Sequence, residues 1–155
     1  MSKAVTQDDK LGKLREIVKA VDICMLTTVD EHGDLHSRPM SNNRDVEFDG
    51  DSYFFTCDDT RTVRDIGRDP SVGLTYQAKS GVLGMKPFFI TVEGRAELIK
   101  DKGRFAEHWA KDLDAWFKEG IDTPGLTLIK VVAERLHYWD GFDEGEIALS
   151  QKVEA

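Results

Sequence analysis

The chain has 155 residues and 29 acidic against 21 basic side chains, for a formal charge of −8. That length suits one domain, able to bury roughly two thirds of the surface its unfolded chain exposes. A composition of 40% hydrophobic and 32% charged residues argues against intrinsic disorder, and the acidic balance disfavours duplex nucleic acid as a main partner, since phosphates are neutralised by Lys and Arg.

Leu11, Leu14, Val18 and Val21 recur at helical spacing, with Lys13, Arg15, Glu16 and Lys19 largely on the opposite side, and predict an amphipathic first helix. The period then changes. Ile23 to Val29 is short, apolar and ends in β-branched residues. The turn Asp30-Glu31-His32-Gly33-Asp34 leads into a returning strand, Leu35 to Met40, stopped or bulged near Pro39. A second hairpin is expected from Val46-Glu47-Phe48, the Asp49-Gly50 turn and Ser52 to Thr56. Asp58-Asp59-Thr60 offers N-caps for a short helix, Arg61 to Arg68, ended by Asp69-Pro70.

Val72 to Tyr76 reads as a strand, and Phe88 to Ile99 as a long one with a bulge or bend at Gly94. Phe105, Trp109, Leu113 and Trp116 predict a second amphipathic helix, with core packing preferred for Trp116. Leu126 to Trp139 is too rich in β-branched residues to favour a helix. About seven strands and two or three helices imply a mainly β, α+β domain, a mixed antiparallel barrel with helices outside it. Residues 1–155 are read as one domain, with a core over 8–140 and a C-terminal tail over 141–155.

Several chemistries have no motif here: no phosphate loop, dinucleotide turn, zinc helix or nucleophile elbow is present. His32 and His36 fall in a turn and a strand, and no metal site is expected. Cys24 and Cys57 have neither metal-ligand spacing nor a disulfide framework, which fits a reducing compartment. Two aspartates follow Cys57, so an inert thiol is expected there. No apolar run reaches the roughly 20 residues of a membrane span. The N-terminus lacks the apolar centre of a secretory leader, so a cytoplasmic location without membrane contact is expected.

One stretch stands out. Between Ala20 and Ala78 there is no lysine but there are five arginines: Arg38, Arg44, Arg61, Arg64 and Arg68. Arginine's planar fork suits phosphate. Arg61 lies in a helix's first turn, where unpaired N–H groups and the helix dipole favour an anion, and Thr56, Thr60 and Thr62 add hydroxyls. Solvated or carboxylate-paired arginines are the competing reading, with Arg64 against Asp58 or Asp69.

Four segments resemble the pyridoxamine 5′-phosphate oxidase-like proteins of the flavin-binding split-barrel class, in particular the general stress protein 26 branch. They are ICMLTTVDEHGDLHSRPM, SYFFTCDDTRTVRDIGRDPSVGLTY, PFFITVEGRAEL and LIKVVAERLHYWD. The resemblance spans roughly residues 8 to 140. It implies a six-stranded antiparallel split β-barrel with flanking helices that binds FMN, with FAD as the alternative, at a homodimer interface. By position, Ser37, Arg38, Pro39 and Met40 would lie along the flavin and its phosphate. Phe55 and Thr56 would line the ring and ribityl chain, and Arg61 would bind phosphate, with Thr60 beside it.

Thr62 stands where the family usually carries lysine, with Arg64 one turn from Arg61 as its substitute. Asn43 stands where the oxidases carry another lysine, and their substrate-phosphate residues are not recognisable, so vitamin B6 oxidation is not expected. Trp109 and Trp139, with Trp116, are candidates to cover the ring from the partner subunit. The resemblance implies a flavoprotein of the stress response, as a flavin-dependent oxidoreductase of unknown substrate and catalytic residues. The alternative is a non-catalytic flavin carrier or sensor. A deazaflavin reductase shares the barrel but needs more basic surface than a −8 chain offers.

Overall fold

A computed structural model describes residues 7–42, 50–80 and 85–149. Helix α1 (Gln7–Lys19) turns Leu14 and Val18 inward, and both are buried. Strands β1 (Ile23–Val29) and β2 (Leu35–Ser41) form the expected hairpin, closed by Gly33 at φ 82°. Pro39 neither stops nor bulges β2: it pairs with Met25 in unbroken register. The strand tolerates it because β2 is an end of the sheet, where a missing N–H costs no ladder bond.

Strand β3 (Asp51–Cys57) leads into α2 (Arg61–Arg68), whose N-cap Thr60 accepts the Val63 N–H at 3.4 Å. Asn43, Arg44 and the Val46–Asp49 half of the expected second hairpin lie outside the described residues. Strands β4 (Ser71–Ser80), β5 (Lys86–Ile99) and β6 (Leu126–Asp140) run longer than, or as long as, the sequence suggests.

The sheet is antiparallel, in the order β2-β1-β4-β5-β6-β3. Strand β7 (Asp143–Ala148) also pairs with β6, which makes the sheet seven-stranded where the resemblance implied six. Part of the 141–155 tail therefore belongs to the core: Ile147 and Leu149 are buried within it. The architecture is α+β, an open sheet of the split-barrel kind.

Gly94 marks the place where the buried face of β6 changes parity. The β5–β6 register shifts between Glu93, opposite Arg135, and Gly94, opposite Ala133, so Glu134 is an extra residue. Before that bulge the odd positions Ile129, Val131 and Ala133 face the core; after it Leu136 does. A one-residue insertion flips side-chain parity, and here it changes which positions of β6 are buried. A Cβ on Gly94 would collide with the Val132 carbonyl, so the bulge requires glycine.

The expected second helix is broken. Helix α3 (Lys102–His108) ends before Trp109, which is extended (φ −75°, ψ 127°), and a 3₁₀ turn over Lys111–Ala115 follows. A 3₁₀ turn preserves three-residue spacing, so the apolar stripe gave no warning of the break. The chain bends because Trp109 packs edge-on against Phe55 and Phe117 while its indole N–H donates to Asp114 at 2.9 Å. This segment forms a second apolar cluster with Phe55, Leu126 and Leu128.

Candidate functional site

A cleft of about 480 Å³ opens where the ends of β2 and β3 meet the start of α2 and the bent segment after α3. Consecutive residues at the ends of two strands supply its walls: Pro39, Met40 and Ser41 from β2, and Phe55, Thr56 and Cys57 from β3. Ile23 adds to one side, Thr60 closes the α2 end, and Leu113, Trp116 and Phe117 form the opposite wall. The size lies within the roughly 300–1,000 Å³ of small-molecule sites, and the mix of apolar wall and few hydroxyls is typical of them.

Trp116 corrects the sequence expectation. It is 70% exposed and lines the cleft instead of packing in the core. The break after α3 rotates it off the buried stripe. Leu113, Phe117, Ile23, Ser41 and Cys57 also line the cleft, though the sequence did not mark them as site residues. The adjacent pair Trp116-Phe117 was the available signal, since one of two neighbouring aromatics on a helical stripe must face away from it.

Of the site residues expected from the sequence, Pro39, Met40, Phe55, Thr56 and Thr60 line the cleft. Ser37 lies outside it, bonded to Thr27 at 2.6 Å between hydroxyls. Thr62 is buried on the inner side of α2. Arg64 donates to the Asp59 carbonyl at 3.1 Å. Trp109 supports Phe55 from behind, and Trp139 stacks on His137 with ring centroids 4.0 Å apart, on the far half of β6.

The arginines are not bare cations. Arg38 Nη1 donates to Thr28 Oγ1 at 2.7 Å and to the carbonyls of His36 and Leu26, and its Nη2 lies 3.6 Å from Asp65 Oδ2. Asp65, fully buried, also accepts from Thr28 Oγ1 at 2.8 Å and lies 3.8 Å from Arg68. Burial pulls the Arg38 pKa down, Asp65 opposes it, and the nearby Arg61 charge adds to the fall. Arg61, half exposed at the first turn of α2, reaches Asp30 Oδ2 at 3.3 Å and His36 Nε2 at 2.7 Å.

Asp30 is held by the turn that carries it. Its Oδ1 accepts the N–H groups of His32 and Asp34 at 2.8 and 2.9 Å, and its Oδ2 lies 3.0 Å from His36 Nε2. The Asp34 N–H above all, helped by the His32 N–H and the neighbouring His36 ring, brings its pKa down to about 2 against the opposing effect of burial. Cys57 is pushed the other way: burial and the charges of Asp59 and Asp58 raise its thiol, outweighing Lys100. The only sulfur nucleophile in the cleft is therefore protonated at neutral pH.

Residues 9–154 match the family model described as "Pyridoxamine 5'-phosphate oxidase like". The chain belongs to the pyridoxamine 5′-phosphate oxidase-like family. Among solved structures of this fold, a Clostridium acetobutylicum protein related to general stress protein 26 of Bacillus subtilis aligns with TM-score 0.77 and 20% identity, covering 95% of this chain and 99% of its own. General stress protein 26 of Bacillus anthracis aligns with TM-score 0.72 and 23% identity, over 90% and 98%. A heme binding protein of Mycobacterium smegmatis gives TM-score 0.72 and 17% identity, over 96% of this chain and 60% of that one. No curated protein matches the chain. Among the described residues, no cluster of His, Cys, Asp and Glu could hold a metal, and no helix is long and apolar enough to cross a membrane.

Proposed function

We propose that this family member binds FMN in the cleft, as a homodimer, and acts as a flavin-dependent oxidoreductase of the general stress type. The observation that carries the reading is the meeting of an aromatic, largely apolar cleft with the N-terminus of α2, where Thr60 and Arg61 stand. Isoalloxazine is a flat, mostly apolar ring that suits the Phe55 and Trp116 walls. A terminal phosphate suits a helix start flanked by a half-exposed arginine. The donor set thus fits a flavin mononucleotide better than an uncharged ligand. FAD is the alternative, since the open cleft leaves room for an adenylate beyond the phosphate.

When bound, a flavin would supply hydride and electron chemistry that the side chains lack. The chain's own part is to bind and orient the ring and to keep Cys57 protonated and unreactive. A haem is the competing cofactor, given the mycobacterial neighbour. It calls for an axial ligand, and among the described residues the cleft offers only the thioether of Met40 and a thiol held in its neutral form. A carrier or sensor without turnover is favoured by one observation: among the described residues, none that lines the cleft is a carboxylate, imidazole or amine that could move a proton.

Absorbance titration with FMN, FAD and hemin, run with light scattering, tests the proposal. A dimer that binds FMN with a perturbed flavin spectrum supports it; hemin binding without flavin binding overturns it. Reduction of the FMN-loaded protein by NADH or NADPH then separates enzyme from carrier.

A further inference from the structure

The cluster beside the cleft contains a conflict of hydrogen-bond roles. His36 Nε2 lies 2.7 Å from Arg61 Nη2 and 3.0 Å from Asp30 Oδ2. A guanidinium only donates and an ionised carboxylate only accepts. One ring nitrogen can accept from Arg61 or donate to Asp30, never both. With its lone pair toward Arg61, Nε2 offers Asp30 nothing. With a proton on Nε2, it serves Asp30 and presents a donor to a donor. Protonating the whole ring adds a charge facing Arg61 at the same short distance.

Asp30 is the fixed member. The two turn N–H groups hold its Oδ1, and its pKa of about 2 keeps it ionised wherever histidine titrates. Among the described residues, the other charged groups around His36 are these, with Asp34 exposed at the end of the turn. From β2, Arg38 donates to the His36 carbonyl at 3.2 Å, with Asp65 beyond it. From the turn, His32 and Glu31 pair with each other at 3.9 Å on the exposed side. From α2, Arg61 alone reaches the ring, Arg64 being turned to the Asp59 carbonyl. Among the described residues, Arg61 is thus the half-exposed cation whose partner changes when His36 gains a proton.

We propose that Asp30 and His36 are positioning residues for Arg61: neutral His36 parks the guanidinium against Asp30, and protonated His36 takes Asp30 and releases Arg61 to an anion at the Thr60 end of the cleft. The identity of that anion, the phosphate of FMN, rests on the flavin reading above. Acidification then strengthens the capture of a phosphate-bearing ligand and leaves its phosphate-free counterpart unaffected.

Two measurements test the positioning separately from the flavin. The first follows the His36 ring C–H resonances by NMR against pH, in the wild-type chain and in Arg61→Ala. Removing Arg61 leaves Asp30 as the facing partner, so the two titration curves should separate, with that of the variant displaced toward higher pH. An unchanged titration overturns the proposal, whatever the cleft binds. The second compares FMN and riboflavin affinities at pH 8 and pH 5.5 in the wild type and in His36→Leu. The phosphate's own second proton, with pKa about 6, affects both proteins alike, so their ratio isolates His36.

The wild type should gain about tenfold over the variant for FMN on acidification, the worth of one charge-assisted bond, and nothing for riboflavin. Parallel FMN profiles refute the release of Arg61. Failure of FMN and riboflavin to bind at either pH refutes the flavin reading instead, and leaves the NMR result to decide the positioning.

Discussion

Replacing Arg38 by alanine separates two roles that the sequence could not tell apart. By resemblance Arg38 is a phosphate ligand; by geometry it neutralises a buried carboxylate. The substitution removes the 2.7 Å bond to Thr28, two bonds to carbonyls and the ion pair with Asp65 at 3.6 Å. Asp65 would keep Thr28 Oγ1 at 2.8 Å and Arg68 at 3.8 Å. Breaking a buried ion pair costs about 3–5 kcal/mol. The pair here is longer than a direct hydrogen bond and Arg68 remains, so the expected loss is about 2–3 kcal/mol.

Urea unfolding would read this as a lower midpoint with unchanged slope, and calorimetry as a fall in Tm of roughly 5–10 °C. Asp65→Asn in the Arg38→Ala background should recover part of the loss, because the orphaned charge is then gone. A variant that unfolds like the wild type but binds FMN tenfold more weakly would refute this assignment and return Arg38 to the ligand.

Gly94→Ala should cost about 3 kcal/mol or more, because its Cβ meets the Val132 carbonyl, whereas Gly73→Ala, whose nearest neighbour is the Val92 carbonyl at 3.7 Å, should be tolerated; paired urea curves check the contrast. Asp30 has a folded pKa below its ordinary 3.8, so its contribution to stability is present above about pH 4 and lost as pH falls toward 2. Asp30→Asn should flatten that part of the acid-unfolding profile, and an unaltered acid limb would contradict the bonding described for the turn. Trp116→Ala should weaken FMN binding by about 1–2 kcal/mol and abolish part of the fluorescence quenching that accompanies it, measured by titration.

Local signals made most of the fold legible. The α1 stripe, the strand over Ile23–Val29, the Asp30–Asp34 turn and the helix over Arg61–Arg68 each rest on periodicity, caps or turn residues within ten or so positions, and each lies where the sequence puts it. Gly94 was legible as a bulge, though not why the bulge is needed, because that depends on a parity change in β6 forty residues later. What stayed hidden depends on side chains meeting across the sheet. Nothing near Arg38 in sequence announces Asp65 or Thr28, and nothing near Arg61 announces Asp30 and His36. The same is true of Trp116: its stripe is real, but tertiary packing of Trp109 on Phe55 bends the chain and reverses which side faces solvent.

If the proposed FMN-binding homodimer forms, the exposed outer face of the β1–β2 hairpin would link cofactor and dimer. Ile23 and Met25 are 50% and 39% exposed there, opposite Ser41 and Pro39 in the ladder, and Ile23, Ser41 and Pro39 also line the cleft. A single protomer thus offers the ring a wall that continues as an unpartnered apolar surface. If a second copy covers that surface and completes the cleft, dimer formation and flavin binding are linked, and each must strengthen the other by the same factor. Met25→Glu places a charge on the patch without touching the cleft lining. It should raise the dimer dissociation constant at least tenfold and weaken FMN binding at micromolar protein, with affinity recovering as protein concentration rises; sedimentation and flavin titration over the same concentrations measure both. A Met25→Glu monomer that binds FMN as tightly as the wild type would mean that one protomer holds the whole site and that the exposed hairpin serves something else.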